Sequence, residues 1–131
     1  MGLFNGLFGN NDKKEKKPSP QVPWIALDHV SQLEKIAENS KGKPQLIFKH
    51  STTCGISRMV LNMFTSKYAL EAGQMDLYFL DLHAHRDISN EVAAKFQVMH
   101  QSPQLLIIKN GVVVQHDSHG AIAEIALENH I

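Results

Sequence analysis

Two short runs, Leu46-Ile47-Phe48 and Leu77-Tyr78-Phe79-Leu80, are apolar at every position. A strand with one wet face alternates apolar and polar residues, so an unbroken run implies burial on both faces. Between the runs, a stretch from Cys54 to about Glu71 has helical length, with Ile56, Val60, Leu61 and Phe64 as its inward set and Gly73 to end it. Strand, helix, strand in this order requires a crossover connection and a covered sheet.

The flanking text extends the pattern. Val30, Leu33, Ile36 and Ala37 form the apolar stripe of a helix near residues 29–40. Asp28 and Ser31 are its candidate caps, Ser31 with Glu34 matching a capping box, and Lys41-Gly42-Lys43-Pro44 stops it. The first buried strand covers Gln45 to His50 and the second Met75 to Leu82. A third helix, opened by Asp87 or Ser89, carries Val92, Ala93 and Phe96 inward. Strands Gln104 to Lys109 and Val112 to His116 flank Asn110-Gly111, the strongest short-range hairpin signal. A last helix is expected after Gly120, with Ile122, Ile125 and Ala126 on its apolar face. The expected fold is α/β: a mixed four-strand sheet with helices on both faces, its closing hairpin forming an antiparallel edge. Trp24 to Leu27 offers an additional N-terminal strand.

The 131 residues suffice for one ordinary domain. Thirteen Lys plus Arg balance thirteen Asp plus Glu, which removes any electrostatic reason to expect nucleic acid as partner. The apolar runs fall far short of the roughly 18 residues of a spanning helix. A single Cys excludes an internal disulfide framework, a Cys-x-x-Cys pair and a four-Cys zinc site, and it suits a reducing, cytoplasmic location.

Residues 1–20 differ from the 21–131 domain. They repeat Gly-Leu-Phe, then run through Lys13-Lys14-Glu15-Lys16-Lys17 to Pro18-Ser19-Pro20. Four lysines against Asp12 and Glu15 make the segment +2, and its composition reads as a disordered extension. The basic cluster follows the apolar stretch with no h-region after it, unlike a secretory signal, and Gly6 stands where myristoylation wants Ser or Thr. Leu3, Phe4, Leu7 and Phe8 share one helical face ahead of the lysines, so peripheral membrane contact by residues 1–17 is the rival to a plain tail.

The chemistry concentrates at Cys54. It falls at the start of the second helix, where unpaired amides and the positive dipole end favour an anion such as a thiolate. Ser57, one turn on, is placed to offer its hydroxyl to the sulfur, Arg58 adds positive charge, and Gly55 leaves the helix start loose. The alternative is a packed structural Cys, but its flanks Ser51-Thr52-Thr53 and Gly55 are polar or small. A second signal is Ser102-Pro103 opening a strand. Proline is tolerated at a strand's first residue; the functional reading is a cis bond that turns the Ser102 backbone toward Cys54.

Together, Lys49-His50-Ser51-Thr52-Thr53-Cys54-Gly55-Ile56-Ser57, His100-Gln101-Ser102-Pro103-Gln104 and Ser118-His119-Gly120-Ala121-Ile122 resemble the monothiol bacilliredoxins of YtxJ type, in the thioredoxin-like superfamily. The resemblance spans Trp24 to Ile122. It implies that Cys54 is the attacking thiol, that Pro103 is the cis-proline, and that Thr53, Ser102, Ser118, His119 and Gly120 border the bound thiol or peptide. It further implies bacillithiol as co-substrate with no tightly bound cofactor or metal, and as partners S-bacillithiolated clients and a recycling thiol or reductase. The family usually has Pro where this chain has Gly55. Cys54-Gly55-Ile56-Ser57 therefore also resembles the Cys-Gly-Phe-Ser of monothiol glutaredoxins, which keeps iron–sulfur cluster carriage as an alternative, beside a non-catalytic adaptor role. His50, at a strand end, is a candidate for tuning Cys54, and His100 is expected beside the proline turn. His83 and His85 have metal-capable spacing without a third ligand type. Ser51, Thr52 and Thr53 lack the Gly-x-Ser-x-Gly elbow of a hydroxyl nucleophile.

Overall fold

Leu46, Phe48 and His50 point to one face of their strand, and Ile47 and Lys49 to the other, yet every residue from Gln45 to His50 is buried. Only a central strand with both faces covered satisfies that pattern. A computed structural model describes residues 22–131, and the expected extension at residues 1–20 lies outside them. In chain order the elements are β1 (Trp24–Ala26), α1 (Gln32–Asn39), β2 (Gln45–His50), α2 (Gly55–Lys67), β3 (Asp76–Asp81), α3 (Arg86–Phe96), β4 (Gln104–Lys109) and β5 (Val112–Ser118), followed by 3-10 turns over His119–Glu124 and Leu127–His130.

The strands form one five-stranded sheet in the order β1-β3-β2-β4-β5, so the optional N-terminal strand exists and occupies an edge. β3 runs parallel to β1 and β2, while β4 is antiparallel to β2 and to β5. On one face, Leu33 and Ile36 of α1 and Ile88, Val92 and Phe96 of α3 pack on Ile47, Leu80 and Leu106. On the other, Val60 and Phe64 of α2 join Leu46, Phe48, Leu77, Leu105 and Ile107. Trp24 seals that face, its ring centroid 5.7 Å from Phe64 and 5.4 Å from Phe79.

Several local expectations differ from the structure. The last helix is two 3-10 turns. Ile122, Ile125 and Leu127 all enter the α2-side core, whereas Ala126 is exposed. One continuous α-helix turns 100° per residue and would carry Leu127 away from the face shared by Ile122 and Ile125. The chain instead extends at Ile125 (φ −73°, ψ 131°) and Ala126 (φ −98°, ψ 100°), which buries alternate residues. Lys67 Nζ ties this segment to α2 by donating to Ala123 O.

The helix expected from residue 29 starts at Gln32, so Val30 lies in the preceding turn and stays 45% exposed. Neither Asp28 nor Ser31 caps it through a side chain. Gln32 does the work: its Oε1 accepts the Asp28 and His29 amides, both at 2.8 Å, and its Nε2 donates to Ala26 O at 2.9 Å. Ile56 is 50% exposed because the inward face of α2 is Ser57, Val60 and Phe64, one residue out of phase with it. The helix also ends at Lys67, before Glu71, because Tyr68 adopts extended backbone and turns its ring into the core.

The closing hairpin is fastened to α1 by one residue. Buried Ser40 accepts the Asn110 amide on its carbonyl and the Gly111 amide on its Oγ, both at 2.8 Å. Ser40→Ala strands the Gly111 N–H and should cost about 1–2 kcal/mol in urea-unfolding free energy. A change below a few tenths of a kcal/mol would show that the contact contributes nothing.

Candidate active site

Sheet register gathers the site at one end of the fold. β2 and β3 both run toward it, and β4, antiparallel to β2, starts from it. Gln104 is paired with Lys49 on one side and Ser118 on the other, so Pro103 and His119 continue those strands beside His50. The Ser102–Pro103 peptide is cis, and Pro103 O accepts the His119 amide at 3.2 Å. Ser102 Oγ is buried without a hydrogen-bond partner among the described residues. His119 has φ 55°, and its exposed side chain and Gly120 form the outer rim next to half-buried Ser118.

Cys54 leaves the end of β2 through a tight turn and becomes the N-cap of α2. Its amide donates to Ser51 O at 3.3 Å, and its carbonyl accepts the Arg58 amide at 3.2 Å. The thiol is free and partly exposed, at the end of the helix where the first-turn amides lack intrahelical acceptors. A helix start therefore follows directly from a buried strand, as the run Gln45 to Ser57 implied.

Ser57 is not turned toward the sulfur as expected. It shares the inward face of α2 with Val60 and Phe64 and is fully buried. Its Oγ accepts the Ser51 amide at 3.0 Å and lies 2.9 Å from His50 Nδ1. Burial among aromatic rings pushes the His50 pKa down; Asp81 opposes this and Arg58 adds to it. Ser57 thus anchors the turn that carries Cys54, and the Arg58 charge is felt at His50.

Thr53 belongs to a hydroxyl cluster at the surface. Its Oγ1 is 3.1 Å from His83 Nε2 and 3.3 Å from Ser51 Oγ, and Ser51 Oγ is 2.9 Å from the same nitrogen. His83, noted in the sequence for its spacing to His85, is here a clasp between the β3–α3 loop and the Cys54 turn. Asp81 shapes that loop by accepting the His83 and Ala84 amides at 3.1 and 3.3 Å.

Lys49, in the sequence only one member of the first motif, is a further polar group beneath the site. It is completely buried, on the α3 side of β2. Its Nζ lies 3.2 Å from Ser89 O and 3.3 Å from His100 Nδ1, and Ser89 Oγ is 3.2 Å from that same nitrogen. Burial lowers the Lys49 pKa to about 8. The available signal was a lysine at an inward position of an otherwise apolar strand, where a charge is costly without a reason to be there.

A five-stranded mixed sheet, a cysteine at the head of the crossover helix between β2 and β3 and a proline-opened strand beside it define a thioredoxin-fold thiol protein. The family model for "Monothiol bacilliredoxin BrxC" matches residues 25–127, so the chain belongs to the monothiol bacilliredoxin family. A solved thioredoxin-fold protein, inferred to be an oxidoreductase, is 34% identical over 78% of this chain and 94% of its own, with TM-score 0.64. Schistosoma mansoni thioredoxin is similar at 25% identity, covering 82% of this chain and 92% of that one, with TM-score 0.58. Malassezia sympodialis thioredoxin shares the fold at 18% identity, covering 89% and 95%, with TM-score 0.65. Family and neighbours support a thiol redox role. Among the described residues no helix is long and apolar enough to cross a membrane.

Gly55 occupies the first helical position, a place where proline fits because the N–H is unpaired in the helix anyway. An added Cβ there meets nothing within 4 Å, and Cys54 already has the extended backbone (φ −108°, ψ 119°) that a residue before proline prefers. Gly55→Pro should therefore stabilise the fold by about 0.5–1 kcal/mol, read from urea unfolding; a loss of stability would mean that the Gly55 amide is needed.

Lys49→Met should raise the unfolding free energy at pH 7 by about 2 kcal/mol, since an apolar side chain of similar volume removes a buried unpaired charge. An unfolded lysine titrates near 10.5 and the folded one near 8, so between those values the unfolded chain holds the extra proton. Wild-type stability gains with rising pH in that window, and the advantage of the variant should shrink from pH 8 to 10.5. Parallel urea curves at pH 7 and pH 10 measure both effects; an advantage that stays constant with pH would contradict the lowered pKa.

Proposed function

We propose that this protein is a monothiol thiol–disulfide oxidoreductase that removes bacillithiol from S-bacillithiolated proteins through Cys54. The observation that carries this reading is the placement of a single, partly exposed cysteine as the N-cap of α2, at the sheet end where Ser102–Pro103 opens β4. The reaction needs no second cysteine. The Cys54 thiolate attacks the sulfur of bacillithiol in the client's mixed disulfide; a new S–S bond forms to Cys54, and the client sulfur departs with the bonding pair as a thiolate. A second low-molecular-weight thiolate then attacks the adduct, regenerating Cys54 and leaving a small-molecule disulfide. Each step exchanges one disulfide for another, so no outside oxidant is consumed.

The chain's own residues have separable tasks in this scheme. Cys54 supplies the attacking sulfur from the N-cap of α2, where the first-turn amides lack intrahelical acceptors. The Ser51–Ser57–His50 bonds hold the turn that presents Cys54. Ser102 offers backbone groups just ahead of β4, where an extended peptide can pair, while Thr53, Ser118, His119 and Gly120 line the rim for the polar part of the small thiol. The clients, a recycling thiol or reductase and a cytoplasmic setting belong to the same proposal.

Incubating an S-bacillithiolated model protein with wild type and with Cys54→Ser, followed by intact mass, tests it. Wild type should strip the adduct and gain one bacillithiol mass when recycling thiol is withheld, and Cys54→Ser should leave the adduct in place. An adduct untouched by wild type would refute the reading. Iron–sulfur absorbance after anaerobic reconstitution, lost with Cys54→Ser, would redirect it to cluster carriage.

A further inference from the structure

The fully buried Lys49 has no place in the exchange chemistry, and none of the ion pairs among the described residues includes it. An ammonium only donates, so the His100 Nδ1 it faces must be the unprotonated ring nitrogen. Burial, Lys49 and Arg86 all push the His100 pKa down, which keeps that ring neutral and its acceptor available. The same ammonium meets Ser89 O in the first turn of α3, and Ser89 Oγ reaches the same His100 nitrogen. Three elements therefore converge on one cation: central strand β2, helix α3 and the loop that leads through His100 to Ser102 and Pro103.

A second set of bonds fastens the same loop. Gln104, opposite Lys49 in the β2–β4 register, donates from Nε2 to Met99 O at 2.9 Å and accepts the Gln101 amide on Oε1 at 3.4 Å. Residues 99–101 are thus held at Met99 and Gln101 by Gln104 and at His100 by Lys49. The held segment ends immediately before Ser102, the residue whose backbone would receive an extended substrate.

We propose that Lys49 is a positioning residue of the exchange reaction, holding His100 so that the 99–103 loop presents Ser102 in one conformation to the substrate of Cys54. The inference rests on the function proposed above and adds to it the reason this fold retains a buried cation. Lys49 touches neither sulfur nor substrate. Its effect passes through His100 to the loop.

Three measurements on the full chain test this. With an S-bacillithiolated protein substrate, Lys49→Met should raise KM about 10-fold with little change in kcat, the equivalent of about 1.4 kcal/mol of substrate positioning. Alkylation of Cys54 by iodoacetamide, which does not use the loop, should proceed at the wild-type rate. His100→Ala should reproduce the KM effect, and the double variant should add nothing to either single one. A general packing defect would slow no particular substrate and would add between the two sites. Hydrogen exchange gives a readout independent of activity: amides of residues 100–102 should exchange faster in Lys49→Met, with those of α1 unchanged. Equal KM and equal loop exchange would overturn the proposal. If wild type proves inert on the substrate, the function proposed above fails, while loop exchange still decides whether Lys49 holds the loop.

Discussion

The pairing of β2 with two neighbours of opposite direction organises the molecule. A strand parallel to β3 and antiparallel to β4 brings the end of the first, the loop after the second and the start of the third to one edge of the sheet. Every residue of the candidate site is a consequence of that register. Cys54 follows β2, His83 follows β3, Ser102 precedes β4, and Ser118 to Gly120 follow the start of β4 because β5 pairs back along it. A one-residue slip would exchange the faces of Phe48 and Lys49 and dismantle both cores.

Polar side chains sit beneath this edge on both faces of the sheet. On the α2 side, His50 and Ser57 hold the cysteine turn; on the α3 side, Lys49, Ser89 and His100 hold the proline loop. Buried polar groups of this kind cost stability unless their partners are met. Hydrophobic residues at the same depth would fold as well or better, so the networks make best sense as devices for geometry at the end of the sheet. The two loops they hold carry Cys54 and Ser102–Pro103, which the sheet brings to the same end.

The resemblance to monothiol bacilliredoxins rested on three short separated motifs, and family membership over residues 25–127 agrees with it. The expected strand-to-helix setting of Cys54 is present because strong signals bracket it: an apolar run before and the Val60, Leu61 and Phe64 period after. Weaker signals misled. Ser57 has the spacing to face the sulfur, but the same spacing places it on the buried face of α2. The last helix failed because Ile122 and Ile125 suit a helical period but Leu127 requires an extended break, a demand set by the core it must reach. Ser31 and Glu34 matched a capping motif that Gln32 made unnecessary by bonding two upstream amides itself.

What the amino-acid order determined by itself was the succession of strands and helices and the place of the lone cysteine between two of them, because local periodicity and turn residues act over a few positions. Which side chains meet across the fold was decided only by tertiary structure. His83 reaches Ser51 and Thr53 across thirty-two and thirty residues and Lys49 reaches His100 across fifty-one, separations over which sequence pattern carries no geometric information. The sheet register supplies it, by setting those chain segments side by side.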